Sequence, residues 1–369
     1  MIAILLAGAI GLLFTLFLTP VFIKVFNRLR WGQYIREDGP KEHYAKRGTP
    51  TMGGVIFVLG SVIAYFIAVY TAGEGPTATG LLAMFMMVGH AVIGFVDDFL
   101  KVRKHQSLGL GGWQKIFGQV IVAAVFALIG LQFVNANDVP VISSAISVIR
   151  DTPIDLFMLG AVAGTVLVVL WIVFITTATS NAVNVTDGLD GLATGASIFA
   201  IGTYGVVGYW QFNQQCDTPR LSPDVAQACY QAHAPLDMTI LAAAIVGSLV
   251  GFLWWNTSPA KIFMGDTGSL ALGGALAAFA IMTRTELLLV VIAGLFVIET
   301  GSVIVQRAYF KVTKGKRIFL MSPIHHHFEL KGWAEQNVVV RFWIIGGLLA
   351  VLGLAIFYAE WAIAAGLTL

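Results

Sequence analysis

Residues 91–100 read AVIGFVDDFL, which sets two carboxylates, Asp97 and Asp98, side by side at the end of an apolar run. A carboxylate at mid-membrane costs about 2.5–3.5 kcal/mol even on lenient insertion scales, and two neighbours repel each other. Folding alone does not ask for such a pair. Three more polar stretches stand out from apolar flanks: NAVNVTDGLDGLA over 181–193, FMGDTGS over 263–269 and PIHHHFEL over 323–330. Grouped carboxylates suit divalent-cation binding and acid–base chemistry on phosphates.

Each stretch has a plainer reading. Asp97 and Lys101 are four apart, a spacing for a surface ion pair worth ~0.3–0.5 kcal/mol, which accounts for one aspartate and not for two. On a helix His90, Gly94, Asp97/Asp98 and Lys101 form a stripe that should face a bundle interior. His90 lies about 10 Å deeper and reads better as a hydrogen-bonded interior histidine. Asn184, Asp187 and Asp190 step by three, so on a helix they share one polar edge, whereas a helix cap needs a single side chain. Gly188 and Gly191 leave the backbone open to a ligand. Asp266 also fits a cap. A helix N-terminus attracts phosphate, however, and a carboxylate belongs there when a divalent cation bridges the two.

His325, His326 and His327 cannot all meet one metal from a regular helix. Contact with a phosphate or sugar and a plain polar loop both fit them. Glu299, inside an apolar run, is a functional candidate by default; a bond to Gln306 or to a neighbouring helix is the alternative. SLGLGGW over 107–113 has no preceding strand and is not a dinucleotide fingerprint.

The elements that hold these residues follow from composition. Of 369 residues 57% are hydrophobic and 11% charged, against about 25% charged in a soluble domain. Mean hydropathy is +0.83. A bilayer core needs about 20 apolar residues as helix. Runs of that order cover 1–23, 48–73, 75–96, 116–137, 156–186, 191–216, 238–260, 267–283 and 342–359, with a further run at 287–306 broken only by Glu299. Residues 1–23 lack the basic start and cleavage site of a signal peptide. The expectation is an all-α polytopic membrane protein of ten transmembrane helices, a single domain over 1–369, with both termini extracytoplasmic.

All Lys and Arg but Arg150, Arg220 and Arg284 fall in one alternate set of connections, which the positive-inside rule makes cytoplasmic. The four polar stretches land on that same side, although Lys and Arg alone set the topology. Cys216 and Cys229 fall in the outer loop 209–236, a possible disulfide-bearing insertion; a disulfide and two free thiols fit equally. Carboxylates and basic loops at one membrane face suggest phosphoryl transfer to a lipid partner, with Mg²⁺ and cations cancelling the repulsion of two anions.

The motifs RGTPTMGG (47–54), GFVDDFLK (94–101), NAVNVTDGLDGLA (181–193), FMGDTGSLALG (263–273) and SPIHHHFEL with GW (322–333) resemble the phospho-N-acetylmuramoyl-pentapeptide transferase family. The aspartate motifs resemble the wider polyprenyl-phosphate sugar-1-phosphate transferases; the triple histidine resembles the muramoyl-pentapeptide branch. The resemblance implies Mg²⁺-dependent transfer of phospho-N-acetylmuramoyl-pentapeptide from its UDP donor to undecaprenyl phosphate. Lipid I and UMP are the products, for peptidoglycan synthesis, cell shape and division. It also implies a homodimer in the plasma (inner) membrane with its site facing the cytoplasm, and no nucleic-acid partner.

By resemblance Asp266 binds the metal, while Asp97 and Asp98 act at the lipid phosphate. Lys46, Thr51, Lys101, Asn184, Asp187, Gly188, Leu189, Asp190 and Phe263 hold the donor, with His325, His326 and His327 at its sugar-peptide end. An N-acetylglucosamine-1-phosphate transferase is the enzymatic alternative. A secondary transporter is more distant, because transporter sites lie near the midplane and no inverted repeat is evident.

Overall fold

The computed structural model describes residues 1–29, 31–32, 46, 48–73, 75–104, 106, 108–135, 137–216, 218 and 221–367. Arg30, Arg36, Lys41, Arg47 and Arg220, all used for orientation above, lie outside the described residues.

The apolar runs fold as helices in chain order: α1 (Ile2–Arg28), α2 (Gly54–Thr71), α3 (Ala78–Arg103), α4 (Gly112–Gly130), α5 (Ala161–Thr186), α6 (Leu192–Asn213), α7 (Pro235–Asn256) and α8 (Gly265–Met282). They are followed by α9 (Leu289–Ile292), α10 (Gly294–Val312), α11 (Ile324–Leu330) and α12 (Glu335–Ala364). Nine helices among the described residues are long and apolar enough to cross a membrane: α1 to α8 and α12. The run 287–306, expected as one span, breaks at Ala293 into α9 and α10. Carrying Glu299, Arg307 and Lys311, α10 is too polar to count with the nine.

The largely helical chain also forms one short β-ribbon, at the end of the bundle away from Asp266. Residues Ala145–Ser147 (β1) and Asp151–Asp155 (β2) form an antiparallel ribbon with Ala145 opposite Asp155 and Ser147 opposite Asp151. The ribbon joins α4 to α5 and docks through Ser147, whose backbone N–H donates to Glu286 Oε2 at 2.6 Å.

At the centre stands α8, buried at every residue from Thr267 to Met282. Its neighbours are α2, α3, α5 and α6. Small residues allow the approach, as expected where packing rather than hydrophobicity joins helices in lipid. Gly94 of α3 meets the start of α8 so closely that a Cβ there would lie 2.0 Å from the Asp266 carbonyl oxygen.

With 18 residues, α8 spans about 27 Å at 1.5 Å per residue, so its two ends belong to opposite faces. Asp266 lies at one end. Arg284 and Glu286 follow the other, and there Arg284 donates to Pro140 O at 2.8 Å. On this second face Cys216 and Cys229 form a disulfide, resolving the two alternatives for that pair. The loop they close is held by Arg150, which donates to Cys229 O at 2.5 Å, to Ala228 O at 2.7 Å and to Glu360 at 2.8 Å.

Candidate functional site

Asp97 and Asp98 sit in the last turns of α3, buried at 0% and 3% exposure although both carry carboxyl groups. Asp97 Oδ1 accepts the Leu110 backbone N–H at 2.6 Å. Asp98 Oδ2 accepts both the backbone N–H and the hydroxyl of Thr267, at 2.9 and 2.8 Å. Asp98 therefore satisfies an orphan donor at the N-terminus of α8, where negative charge is favoured by the helix dipole. Asp266, in that first turn, is not itself the cap.

One ligand oxygen each from Asp97, Asp98 and Asp266 can be chosen so that all lie within 4.8 Å of one another. Two ammonium groups stand against them. Lys101 Nζ is 2.6 Å from Asp97 Oδ2 and 3.1 Å from Asp266 Oδ2. Lys115 Nζ, from the first turns of α4, is 3.2 Å from the same Asp97 oxygen and 2.5 Å from the same Asp266 oxygen. Lys101 is thus more than the surface partner of Asp97: it bridges α3 to α8. Three carboxylates converging from two helices form an all-oxygen donor set suited to a hard divalent cation.

The edge expected to carry Asn184, Asp187 and Asp190 together does not exist. Helix α5 ends at Thr186, and residues 187–191 form a turn that closes on Gly191 at φ +77°. Asn184, still helical, donates to Asp266 Oδ1 and to Ser269 Oγ, each at 2.9 Å. Asp190 turns away. Its Oδ1 meets Lys46 Nζ at 2.7 Å and its Oδ2 accepts the Ala260 N–H at 3.0 Å. Glu335, the first residue of α12, accepts from Lys46 Nζ at 2.5 Å and from the Asp190 N–H at 2.9 Å. Burial alone would lower the Lys46 pKa, but Asp190 and Glu335 outweigh it and hold it above the ordinary value. Burial, joined by the charges of Asp266, Asp98 and Asp190, pushes the Asp187 carboxyl up to about 8.

Thr51 is buried beside this cluster: a Cβ at Gly265 would lie 3.0 Å from its Oγ1 and 2.5 Å from Asp98 Oδ2. Phe263 is tied in by its backbone, its N–H donating to Pro50 O and its carbonyl accepting from the Gly53 N–H, both at 2.8 Å. Leu189 is buried in the apolar core. Of the three histidines on α11, His325 and His326 pack together with ring centroids 4.2 Å apart, and His327 points elsewhere. His325 is fully buried and paired with Glu299 at 3.0 Å, which gives Glu299 a partner other than Gln306. His326 pairs with Glu329 at 2.6 Å. His327 Nδ1 accepts the Leu320 N–H at 3.0 Å, away from the other two. His90 is buried, with Nδ1 2.8 Å from Met86 O.

Sequence reasoning missed Lys115, Thr267, Ser269 and Glu335. Lys115 carried a signal. A cation in the first turn of a helix opposes the dipole, so its placement needs another reason. Glu335 carried none, because an acid at a helix start is ordinary.

Comparisons with known proteins point the same way. The family model for "Glycosyl transferase family 4" matches residues 78–284, and "Phospho-N-acetylmuramoyl-pentapeptide-transferase signature 1" matches residues 46–58. A protein of Clavibacter sepedonicus named phospho-N-acetylmuramoyl-pentapeptide-transferase is 62% identical over 367 residues, covering 98% of this chain and 99% of its own length. Proteins of the same name from Arthrobacter sp. (strain FB24) and Kineococcus radiotolerans are each 53% identical, covering 98% and 97% of this chain and 100% and 98% of their own.

Proposed function

The chain belongs to the phospho-N-acetylmuramoyl-pentapeptide transferase family, and from that premise we propose how its residues carry out the transfer. It is a membrane enzyme that moves a phospho-sugar. An oxygen of undecaprenyl phosphate attacks the β-phosphorus of UDP-N-acetylmuramoyl-pentapeptide. The bond from that phosphorus to the bridging oxygen breaks, UMP leaves, and the lipid-linked diphosphate, lipid I, remains.

The observation that carries this reading is the meeting of Asp97, Asp98, Asp266, Lys101 and Lys115 at one end of the bundle. Two anionic reactants meet there, and the step is chiefly one of positioning and charge stabilisation. Asp266 and Asp97 would hold Mg²⁺, which supplies charge neutralisation to the reacting phosphates, with Asp98 beside them as the base. Lys101 and Lys115 are placed to pair with phosphate oxygens. Asn184 holds Asp266 in orientation through Oδ1. Thr267 fixes Asp98 by Oδ2, leaving Oδ1 to take the proton of the attacking lipid phosphate. Lys46, Thr51, Asp187, Gly188, Leu189, Asp190 and Phe263 form the donor side, with the histidines of α11 at its sugar-peptide end.

Direct attack by the lipid phosphate is the mechanism adopted. Taking α10 as the tenth span gives a ten-helix protomer with both termini outside and the site facing the cytoplasm. A single domain over 1–369, a homodimer and a plasma-membrane setting complete the reading.

The test is a transfer assay on detergent-solubilised protein with undecaprenyl phosphate and either UDP-N-acetylmuramoyl-pentapeptide or UDP-N-acetylglucosamine. UMP and lipid I in equal amounts from the first donor only are expected. Turnover of the second alone would assign the protein to the N-acetylglucosamine branch. Asp98→Asn should abolish turnover with UMP affinity kept within a few fold; full turnover in that variant would remove Asp98 from the chemistry.

A further inference from the structure

Glu299 of α10 and His325 of α11 are both fully buried, each at 0% exposure. Glu299 Oε2 lies 3.0 Å from His325 Nδ1. The other ring nitrogen, Nε2, is buried and has no hydrogen-bond partner among the described residues. It is aimed at the 187–191 turn: a Cβ on Gly188 would lie 2.4 Å from it. The His326 ring packs on the His325 ring with centroids 4.2 Å apart, so the imidazole has little room to turn.

A carboxylate only accepts hydrogen bonds, so Nδ1 carries the proton in this pair. In a neutral imidazole the second nitrogen is then a lone pair looking for a donor. Buried polar atoms in native proteins are almost always satisfied, by protein, water or ligand. Here the unsatisfied atom faces a turn bounded by Asp187 and Asp190, one helical turn past Asn184, which reaches Asp266.

We propose that Glu299 is a positioning residue: it fixes His325 as the Nδ1–H tautomer, and Nε2 accepts a hydrogen bond from a hydroxyl or amide N–H of the nucleotide-sugar lying over Gly188. An ionised phosphate has no proton to give and does not suit this nitrogen. The same arrangement, an orienting carboxylate behind a histidine, is the usual way proteins set a working tautomer. The inference rests on the donor substrate assigned above and adds the chemistry of one contact to it.

The chain holds 7 histidines, few enough for ¹⁵N-histidine labelling of the full-length protein in nanodiscs. Comparison with His325→Asn assigns the His325 resonances. The expected spectrum shows Nδ1 protonated and Nε2 bare, with Nε2 shifting on addition of donor. A shift with UMP alone puts the contact on ribose; a shift only with UDP-N-acetylmuramoyl-pentapeptide puts it on the sugar-peptide part. No shift with either, or two protonated nitrogens, overturns the proposal.

Kinetics give a second readout. Glu299→Gln should raise the KM for the UDP donor by about 10–100-fold, with the KM for undecaprenyl phosphate unchanged. The effect should vanish in a His325→Ala background. An undiminished effect in that background would mean that Glu299 does not act through His325. Should Glu299→Gln fail to fold, the spectra of the unsubstituted protein still decide. Absence of lipid I synthesis by the unsubstituted enzyme would strike the assigned reaction instead, and the UMP titration would remain interpretable.

Discussion

Lys115 Nζ stands 2.5 Å from Asp266 Oδ2, joining the first turns of α4 to the first turn of α8. Lys101 reaches the same oxygen from α3, so three helices are tied through one carboxylate. If Lys115 serves the transferring phosphates, neutralising it removes a preorganised cation from the transition state. Lys115→Met should lower kcat on the order of 10²–10³-fold, as loss of one such group usually does, with UMP affinity within a few fold. Steady-state rates beside UMP titrations check this, and a near-normal kcat would relegate Lys115 to packing.

Asp187 gives a pH dependence with a definite sign. Its carboxyl is raised from an ordinary 3.8 to about 8, chiefly by burial. The folded state therefore favours the protonated form. That contribution is complete below the ordinary value and is lost as pH rises towards about 8. Asp187→Asn mimics the protonated group. The variant should melt higher than the parent by an amount that grows from pH 5 to pH 8.5, reaching on the order of 2–4 °C. A difference independent of pH would contradict the shift.

The Cys216–Cys229 disulfide closes a loop of sequence separation 13 on the face opposite the aspartates. Chain-entropy arguments give such a loop about 3 kcal/mol of stabilisation. Cys216→Ser/Cys229→Ser should lower the melting temperature while leaving the transfer rate at low temperature unchanged. A loss of turnover in a folded double variant would tie the disulfide loop to the chemistry.

Much of this was readable from residue types and spacing. Lys and Arg asymmetry put the four polar stretches on one face, and the structure brings Asp97, Asp98 and Asp266 together there. The unreadable part is where side chains cross between elements. A three-residue step suggested one edge for Asn184, Asp187 and Asp190, but the break after Thr186 sends Asn184 to Asp266 and Asp190 to Lys46. Helix periodicity holds only while the helix lasts. The strands at 145–147 and 151–155 are too short to declare themselves beside long apolar runs. Glu335 looked like an ordinary helix start and proves to be the acceptor that joins Lys46 to the 187–191 turn.

A cation pocket shared by α3 and α8 is most directly tested by Mn²⁺ titration followed by electron paramagnetic resonance, on the solubilised protein and on Asp97→Asn, Asp98→Asn and Asp266→Asn. Saturable Mn²⁺ binding is expected in the parent, weakened by at least about tenfold in the Asp266 variant and measurably in the other two. Equal Mn²⁺ affinity in all four proteins would show that these carboxylates do not hold the ion.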